Sequence, residues 1–222
     1  MATKKTMTPE EQYWTLRLEK AAKALEANRF GVSVHATGKD AAEHLVKKVL
    51  PKGWKGTVNF GGSASVLQSG VIPMLQKLPG ANVLPNWDPK MDRAEMLRLR
   101  REHFICELYL CSSNAVTMAG QLVNVDGLGN RVASMIYGPE KVALFVGRNK
   151  LCETMDVALD RVHNIAAPMN NIRLGHPNPC VKAGRCMDCK SPSRICNAWS
   201  VIERCNPAER IHVLLINEDT GF

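Results

Sequence analysis

Short runs rich in Val, Ile, Leu and Phe recur along the chain between helical stretches, and this alternation constrains the fold more than any other feature. Repeated strand and helix pairs predict an α/β fold, a mostly parallel sheet flanked by helices. "TPEEQYWTLRLEKAAKALEAN" supplies Thr8 as an N-cap, Pro9 in the first turn and Glu11 as the capping-box acid. Trp14, Leu18, Ala22 and Leu25 then share one face, which predicts an N-terminal helix within residues 1–30. Strands are expected at Val32 to Ala36, "TVNFGG", "ANVLP", "ICELYLCSS", "GQLVNVDG", "RVASMIYG" and "KVALFVG". The middle pair is expected to form hairpins around "DGLGN" and "GPEK". A helix with Ala42, Leu45 and Val49 inward stops at Pro51, and a short one follows the glycine turn. Another opens at Asp88 and Pro89, and a further one runs from a Thr154 cap, with Met155, Leu159, Val162 and Ala166 inward, to Pro168. "WSVIERC" and "RIHVLLIN" read as two strands turned at "NPAE".

With 222 residues, 45% of them hydrophobic, the chain has material for one sizeable core, and a single domain over residues 1–222 is expected. No apolar run reaches membrane-spanning length, and "MATKKTMTPEEQ" lacks the apolar core of a secretory signal, so the expected location is the cytoplasm. The net charge of +8 is compatible with nucleic acid, an acidic partner or a small anionic ligand. Lys and Arg are scattered and only 5% of residues are aromatic, which with the lack of a reading motif disfavours nucleic acid.

"PCVKAGRCMDCKSPSRIC" holds four of the eight cysteines, spaced C-x5-C-x2-C-x6-C, as Cys180, Cys186, Cys189 and Cys196. In a reducing compartment such a cluster reads as a metal site rather than as disulfides. Strand-like runs follow it, so residues 176–199 form a cysteine-rich, metal-binding insert within the domain. Four thiolates suit a [4Fe–4S] cluster or a tetrahedral zinc ion. One short C-x2-C pair flanked by longer loops leans toward the cluster without excluding zinc. Lys182, Arg185, Lys190 and Arg194 surround the thiols against one acid, Asp188, which favours a negatively charged centre of either kind. Cys106, Cys111, Cys152 and Cys205 read as buried structural thiols.

"NFGGSASVLQSG" places Gly61, Gly62, Ser63 and Ser65 between a strand and a helix start, where backbone N–H groups attract anions. An ordinary tight turn with a Ser63 cap accounts for the same residues. Further on, polar residues fall at strand ends: Ser113, Asn114 and Thr117, then Asn124, Asp126, Asn130 and Arg131, then Arg148, Asn149 and Lys150. Strand ends bound the ligand crevice in open α/β sheets. Asp126 is placed to serve as a base, Asn114 and Asn130 as hydrogen-bond donors, and Arg131 or Lys150 as an anion anchor. Turns favour the same Asn, Asp and Gly residues on conformational grounds alone.

These stretches resemble the lactate-utilisation (LUD) domain family, which includes LutC-like and YkgG-like proteins. The central "NA", "G.LVN.DG.GNR" and "GP.KV....G.NK" blocks carry the resemblance, and the cysteine segment matches a single-domain subgroup. Glu107 stands where the family pattern more often has Asp. The resemblance implies a NagB/RpiA/CoA-transferase-like fold with an anionic ligand bound near Gly61, Gly62 and Ser63 and around Asn114, Asp126, Asn130, Arg131, Asn149 and Lys150. It also implies a part in oxidising L-lactate or a related 2-hydroxyacid, beside iron–sulfur and flavin- or quinone-linked partner subunits. The fold by itself assigns no reaction to this chain. A stand-alone isomerase or transferase with a structural zinc, and a metal- or redox-responsive regulator, are the other classes these residues allow.

Overall fold

The computed structural model describes residues 7–85 and 91–222. Its elements follow the expected alternation: α1 (Pro9–Ala27), β1 (Gly31–His35), α2 (Gly38–His44), β2 (Gly56–Phe60), α3 (Ala64–Ser69), α4 (Val71–Gln76), β3 (Ala81–Val83), α5 (Arg93–Glu102), β4 (Leu108–Cys111) and β5 (Ala115–Thr117). There follow β6 (Leu122–Asp126), α6 (Asn130–Ile136), β7 (Lys141–Gly147), β8 (Leu151–Cys152), α7 (Met155–Arg161), α8 (Ala167–Arg173), α9 (Pro179–Ala183), β9 (Ala198–Ile202) and β10 (Ile211–Ile216). Six parallel strands form one sheet in the order β1-β10-β7-β4-β2-β3, and β8-β5-β6-β9 form a second. Among the described residues no helix is long and apolar enough to cross a membrane.

Both faces of the six-stranded sheet are covered, which is why β4 and β7 are near-continuous apolar runs. Leu108, Leu110, Ala143 and Phe145 face α2, α3 and α4, while Tyr109, Cys111, Val142 and Leu144 face α1 and the inner side of the second sheet. The outer side of that sheet packs through Ala115, Val123 and Val125 against Ala158 and Val162 of the α7 region. The capping box of α1 is formed, with Glu11 N donating to Thr8 Oγ1 and Thr8 N to Glu11 Oε2. Leu18, Ala21, Ala22 and Leu25 are its buried stripe. Cys106, Cys111, Cys152 and Cys205 are buried free thiols, as their apolar settings suggest.

Three readings of the sequence need correction. "RVASMIYG" is the helix α6, not a strand, so neither "DGLGN" nor "GPEK" closes a hairpin. Val132 and Met135 are buried one turn apart, and the Asp126 carboxylate accepts from Arg131 N at 2.8 Å, tying the first turn of the helix. Pro168 does not end the helix begun at Thr154: a π-helical turn, Val162–Ala166, precedes it and the chain continues as α8 to Arg173. A wider turn tolerates the N–H that proline lacks. β9 and β10 do not pair with each other; β9 lies antiparallel to β6 in the second sheet, and β10 sits between β1 and β7 in the first. The helix start expected at Asp88 and Pro89 lies outside the described residues.

On the α2 side, at the β1 edge of the sheet, Ser33 Oγ lies 2.8 Å from His35 Nε2 and 3.1 Å from His212 Nε2, and the His44 ring lies tilted against His35 with centroids 4.7 Å apart. Burial, followed by neighbouring cationic groups, lowers the pKa of both His35 and His212 to about 4.

Candidate functional site

The carboxyl ends of β2, β4, β7 and β10 converge, and Lys150 stands at their centre. It follows β7 in a single 3₁₀ turn (Arg148–Lys150) and is 3% exposed. Its Nζ donates to Ser65 Oγ and Ser112 Oγ, both at 2.8 Å. Those hydroxyls pass their own protons on, Ser112 to Phe145 O and Ser65 to Thr220 O. The nearest strong charges are the guanidinium groups of Arg161 and Arg131. Burial first and these cations second push the Lys150 pKa down to about 7.

Close approach at this centre requires glycine at position 147. A methyl group there would come within 2.5 Å of Asn149 Oδ1 and 2.6 Å of Thr220 N and Oγ1. Asn149 in turn accepts from Thr220 N and donates to Gly221 O. Thr220 Oγ1 is buried without a hydrogen-bond partner, an acceptor and donor left over beside Asn149.

Arg131 organises the neighbouring wall. Its Nη1 donates to Ser112 O and Asn124 Oδ1, and its Nη2 to Asn114 Oδ1 and Val125 O, all between 2.8 and 2.9 Å. Asn114 Oδ1 also accepts from Val125 N, and Asn114 N donates to Asn124 Oδ1. The guanidinium expected to anchor a ligand is thus engaged by the protein's own carbonyls. Gly61 lies over this wall, where a Cβ would meet Tyr109 Oη at 2.9 Å and the Arg131 side chain at 3.5 Å. Ser63 caps α3 through Val66 N. Gly62 has open space around its Cα, and its carbonyl accepts from Arg173 of α8 at 3.2 Å.

The structure therefore brings Gly61, Ser65, Asn114, Asp126, Arg131, Asn149 and Lys150 into one connected network. Asn130 opens α6, where its carbonyl accepts from Ser134 Oγ within the helix, and this bond does not join it to the network. Sequence reasoning missed Ser112, Thr220 and Arg161. Arg161 is 7% exposed, its Nε donating to Asn149 O and its Nη1 to Asn114 O. An arginine between Ala158 and Val162, on the inward face of a predicted helix, was the available signal.

The four cysteines lie elsewhere, lining one cavity with His163, Ala167, Pro168 and Asn171 from the π-helical turn and α8. Cys180 in α9 is buried, and Cys186, Cys189 and Cys196 are partly exposed. Burial raises the Cys180 and Cys196 thiols, and each is raised further by the other cysteines, which places the four within electrostatic reach of one another. Asp188 adopts a left-handed φ of 42°, bending the chain between Cys186 and Cys189 so that its N–H donates to Cys186 Sγ. Cys186 Sγ is 3.5 Å from His163 Nδ1. Arg194 braces the loop by donating to Cys189 O and Cys196 O, and Asn178 by bonding Asn171 and Ser193. Among the described residues no three His, Cys, Asp or Glu side chains are drawn together into a finished cation cage.

Comparison with known proteins follows from this geometry. The family model described as the LUD domain matches residues 18–216. The fold is similar to the crystal structure of a DUF162 family protein from Deinococcus radiodurans, with a TM-score of 0.50 at 12% identity, over 92% of this chain and 98% of that one. No curated protein matches the sequence.

Proposed function

The chain belongs to the LUD domain family, and on that premise we propose that it is an iron–sulfur subunit of an L-lactate or related 2-hydroxyacid oxidation system. The observation that carries this reading is the convergence of Cys180, Cys186, Cys189 and Cys196 on one cavity. The donor set is four thiols, with His163 close to only one of them, and Lys182, Arg185, Lys190 and Arg194 offset the negative charge that four thiolates bring. The residues present therefore fit a [4Fe–4S] cluster held by these cysteines. When bound, such a cluster supplies one-electron transfer, here to a flavin- or quinone-linked partner or a further iron–sulfur subunit.

At the strand ends, the group that meets an anionic ligand is Lys150, with Ser65 and Ser112 orienting its amine. Two of its protons are taken by hydroxyls and no carboxylate among the described residues pairs with it, so a third proton and the charge are available to a carboxylate or phosphate. Thr220 Oγ1 is the spare polar group beside it. Asn114, Asp126, Asn130, Arg131 and Asn149 would line the crevice, and the Gly61–Gly62–Ser63 turn is open at Gly62, where nothing lies within 4 Å of an added Cβ, and crowded at Gly61. Because the amine binds an anion as the ammonium, affinity should fall as pH rises through about 7.

Anaerobic purification with iron, sulfide and zinc analysis and an absorption spectrum tests the cluster. Four irons and four sulfides per chain with broad visible absorption are expected. One zinc per chain and no visible band would overturn it and favour the stand-alone isomerase or transferase, with zinc holding the insert. Activity with lactate and an artificial acceptor, present only when partner proteins are added, would separate a subunit from a complete enzyme.

A further inference from the structure

The outer face of the helix that walls the cysteine cavity is apolar and uncovered. His163, Ala167 and Asn171 point from it into the cavity, whereas Ile165, Met169 and Ile172, at i, i+4 and i+7, share the adjoining outward face. Leu174 extends this strip, and Met187 stands at the cavity itself. All five are between 44% and 54% exposed. Scattered exposed aliphatic side chains need no explanation, but an aligned group beside a candidate redox centre does.

Charge is concentrated around the same place. From Val162 to Cys196 the chain has five basic side chains and one acidic one. Arg173, Lys182, Arg185 and Lys190 are exposed. Arg173 follows the strip directly, and the other three alternate with the cysteines of the loop. An apolar centre with a charged rim is the anatomy of a protein–protein interface.

We infer that this face docks an acidic protein surface with an apolar centre, Ile165, Met169 and Ile172 packing at its middle and Arg173, Lys182, Arg185 and Lys190 pairing with carboxylates around it. The inference deepens the partner half of the proposed function and does not depend on which metal the thiols take. Nucleic acid fits less well, because the strip is aliphatic and the exposed ring near it, Trp199, already lies against His163. An anionic lipid surface fits less well too. Asp188, with its side chain 93% exposed among the basic groups, would be pressed against like charge, whereas a protein partner can meet it with a cation.

A photo-crosslinking benzophenone residue placed at position 172 of the full chain, in the cells that make it, tests the docking. The expected product is one adduct with a protein of acidic isoelectric point, identified by mass spectrometry. Its yield should fall about tenfold in a Lys182→Glu/Arg185→Glu/Lys190→Glu variant and also fall with rising salt in the unsubstituted chain. The salt series needs no loop substitution, so it stands if the triple variant misfolds. Adducts only with a second copy of the chain, with nucleic acid or with lipid, no adduct at all, or an acidic adduct insensitive to both charge reversal and salt would overturn the inference. Iron analysis of the same cells' protein reports separately on the cluster. An adduct without iron leaves the docking face standing and sinks the cluster reading, and iron without an adduct does the reverse.

Discussion

The strand-end crevice and the cysteine segment are stabilised in opposite ways. Around Lys150 and Arg131 nearly every polar group is matched by another part of the same chain, drawn from α3, α6, β6 and the residues after β4, β7 and β10. The network at the strand ends is therefore held together by the fold itself. The segment from Cys180 to Cys196 has one short helix, no core cluster of its own, and a few side-chain braces from Asn164, Asn178 and Arg194. On the proposed reading, a group held by the thiols would supply much of its order. A hydrogen-bonded network at the strand ends and a sparsely braced loop thus share one chain, and Arg173 of α8 donates to the Gly62 carbonyl between them.

Substitutions can break this contrast at either end. Cys186→Ser with Cys189→Ser should have the largest effect, removing nearly all bound metal and exposing the loop to limited proteolysis between Gly184 and Ser193 while the sheet core resists. Cleavage appearing equally in the sheet would show that the two regions are one unit. Arg131→Met should cost about 3 kcal/mol in urea denaturation, since it strands several buried acceptors at once. Gly147→Val should cost about 2 kcal/mol by forcing Asn149 and Thr220 apart, and it should abolish anion binding measured by calorimetry.

Lys150→Met sharpens the comparison by separating stability from function. The folded pKa of about 7 lies below the unfolded value near 10.5, so between these values the unfolded chain holds more protons and the parent gains stability as pH rises. The variant should lose that slope and, at pH 7, gain about 1 kcal/mol while losing ligand-induced thermal shift. A stable variant that still binds anions would remove Lys150 from the site. The smallest effect at neutral pH belongs to neither region. His35→Asn with His212→Asn should leave the pH 7 melting temperature unchanged. The parent binds fewer protons folded than unfolded between pH 6.5 and about 4, so it should lose stability as pH falls through that window, and the variant should lose less.

Much of the architecture was readable from residue pattern. The parallel strands announced themselves because burial on both faces demands unbroken apolar runs, as in "KVALFVG". α6 was misread because Arg131 and Ser134 point inward and break the apolar period that identifies a helix. The Arg131 guanidinium is satisfied by tertiary partners, and the Ser134 hydroxyl by the Asn130 carbonyl one turn back in the same helix. Lys150, Asn149 and Gly61 were visible as polar or glycine positions at strand ends. Ser112 and Thr220 were not, since a serine closing one strand and a threonine four residues past another become neighbours only once β7 lies between β4 and β10. The cysteines were legible as a group from spacing, but the wall that His163, Ala167 and Asn171 give them depends on the π-helical turn, which leaves no simple sequence mark.

The sheet order carries a consequence for how the molecule is made. Among the described residues β1 is an edge strand whose single sheet partner is β10, so β1 must wait for a strand made after the other eight. All four thiols of the 180–196 segment leave the ribosome before β10 does. The metal proposed for these thiols could therefore be delivered while the sheet is still open on that side, and a chain that closed early on an empty loop would then be a slow-loading species. Pulse-labelled nascent chains halted before and after Ile216 would show whether uptake belongs to the open stage.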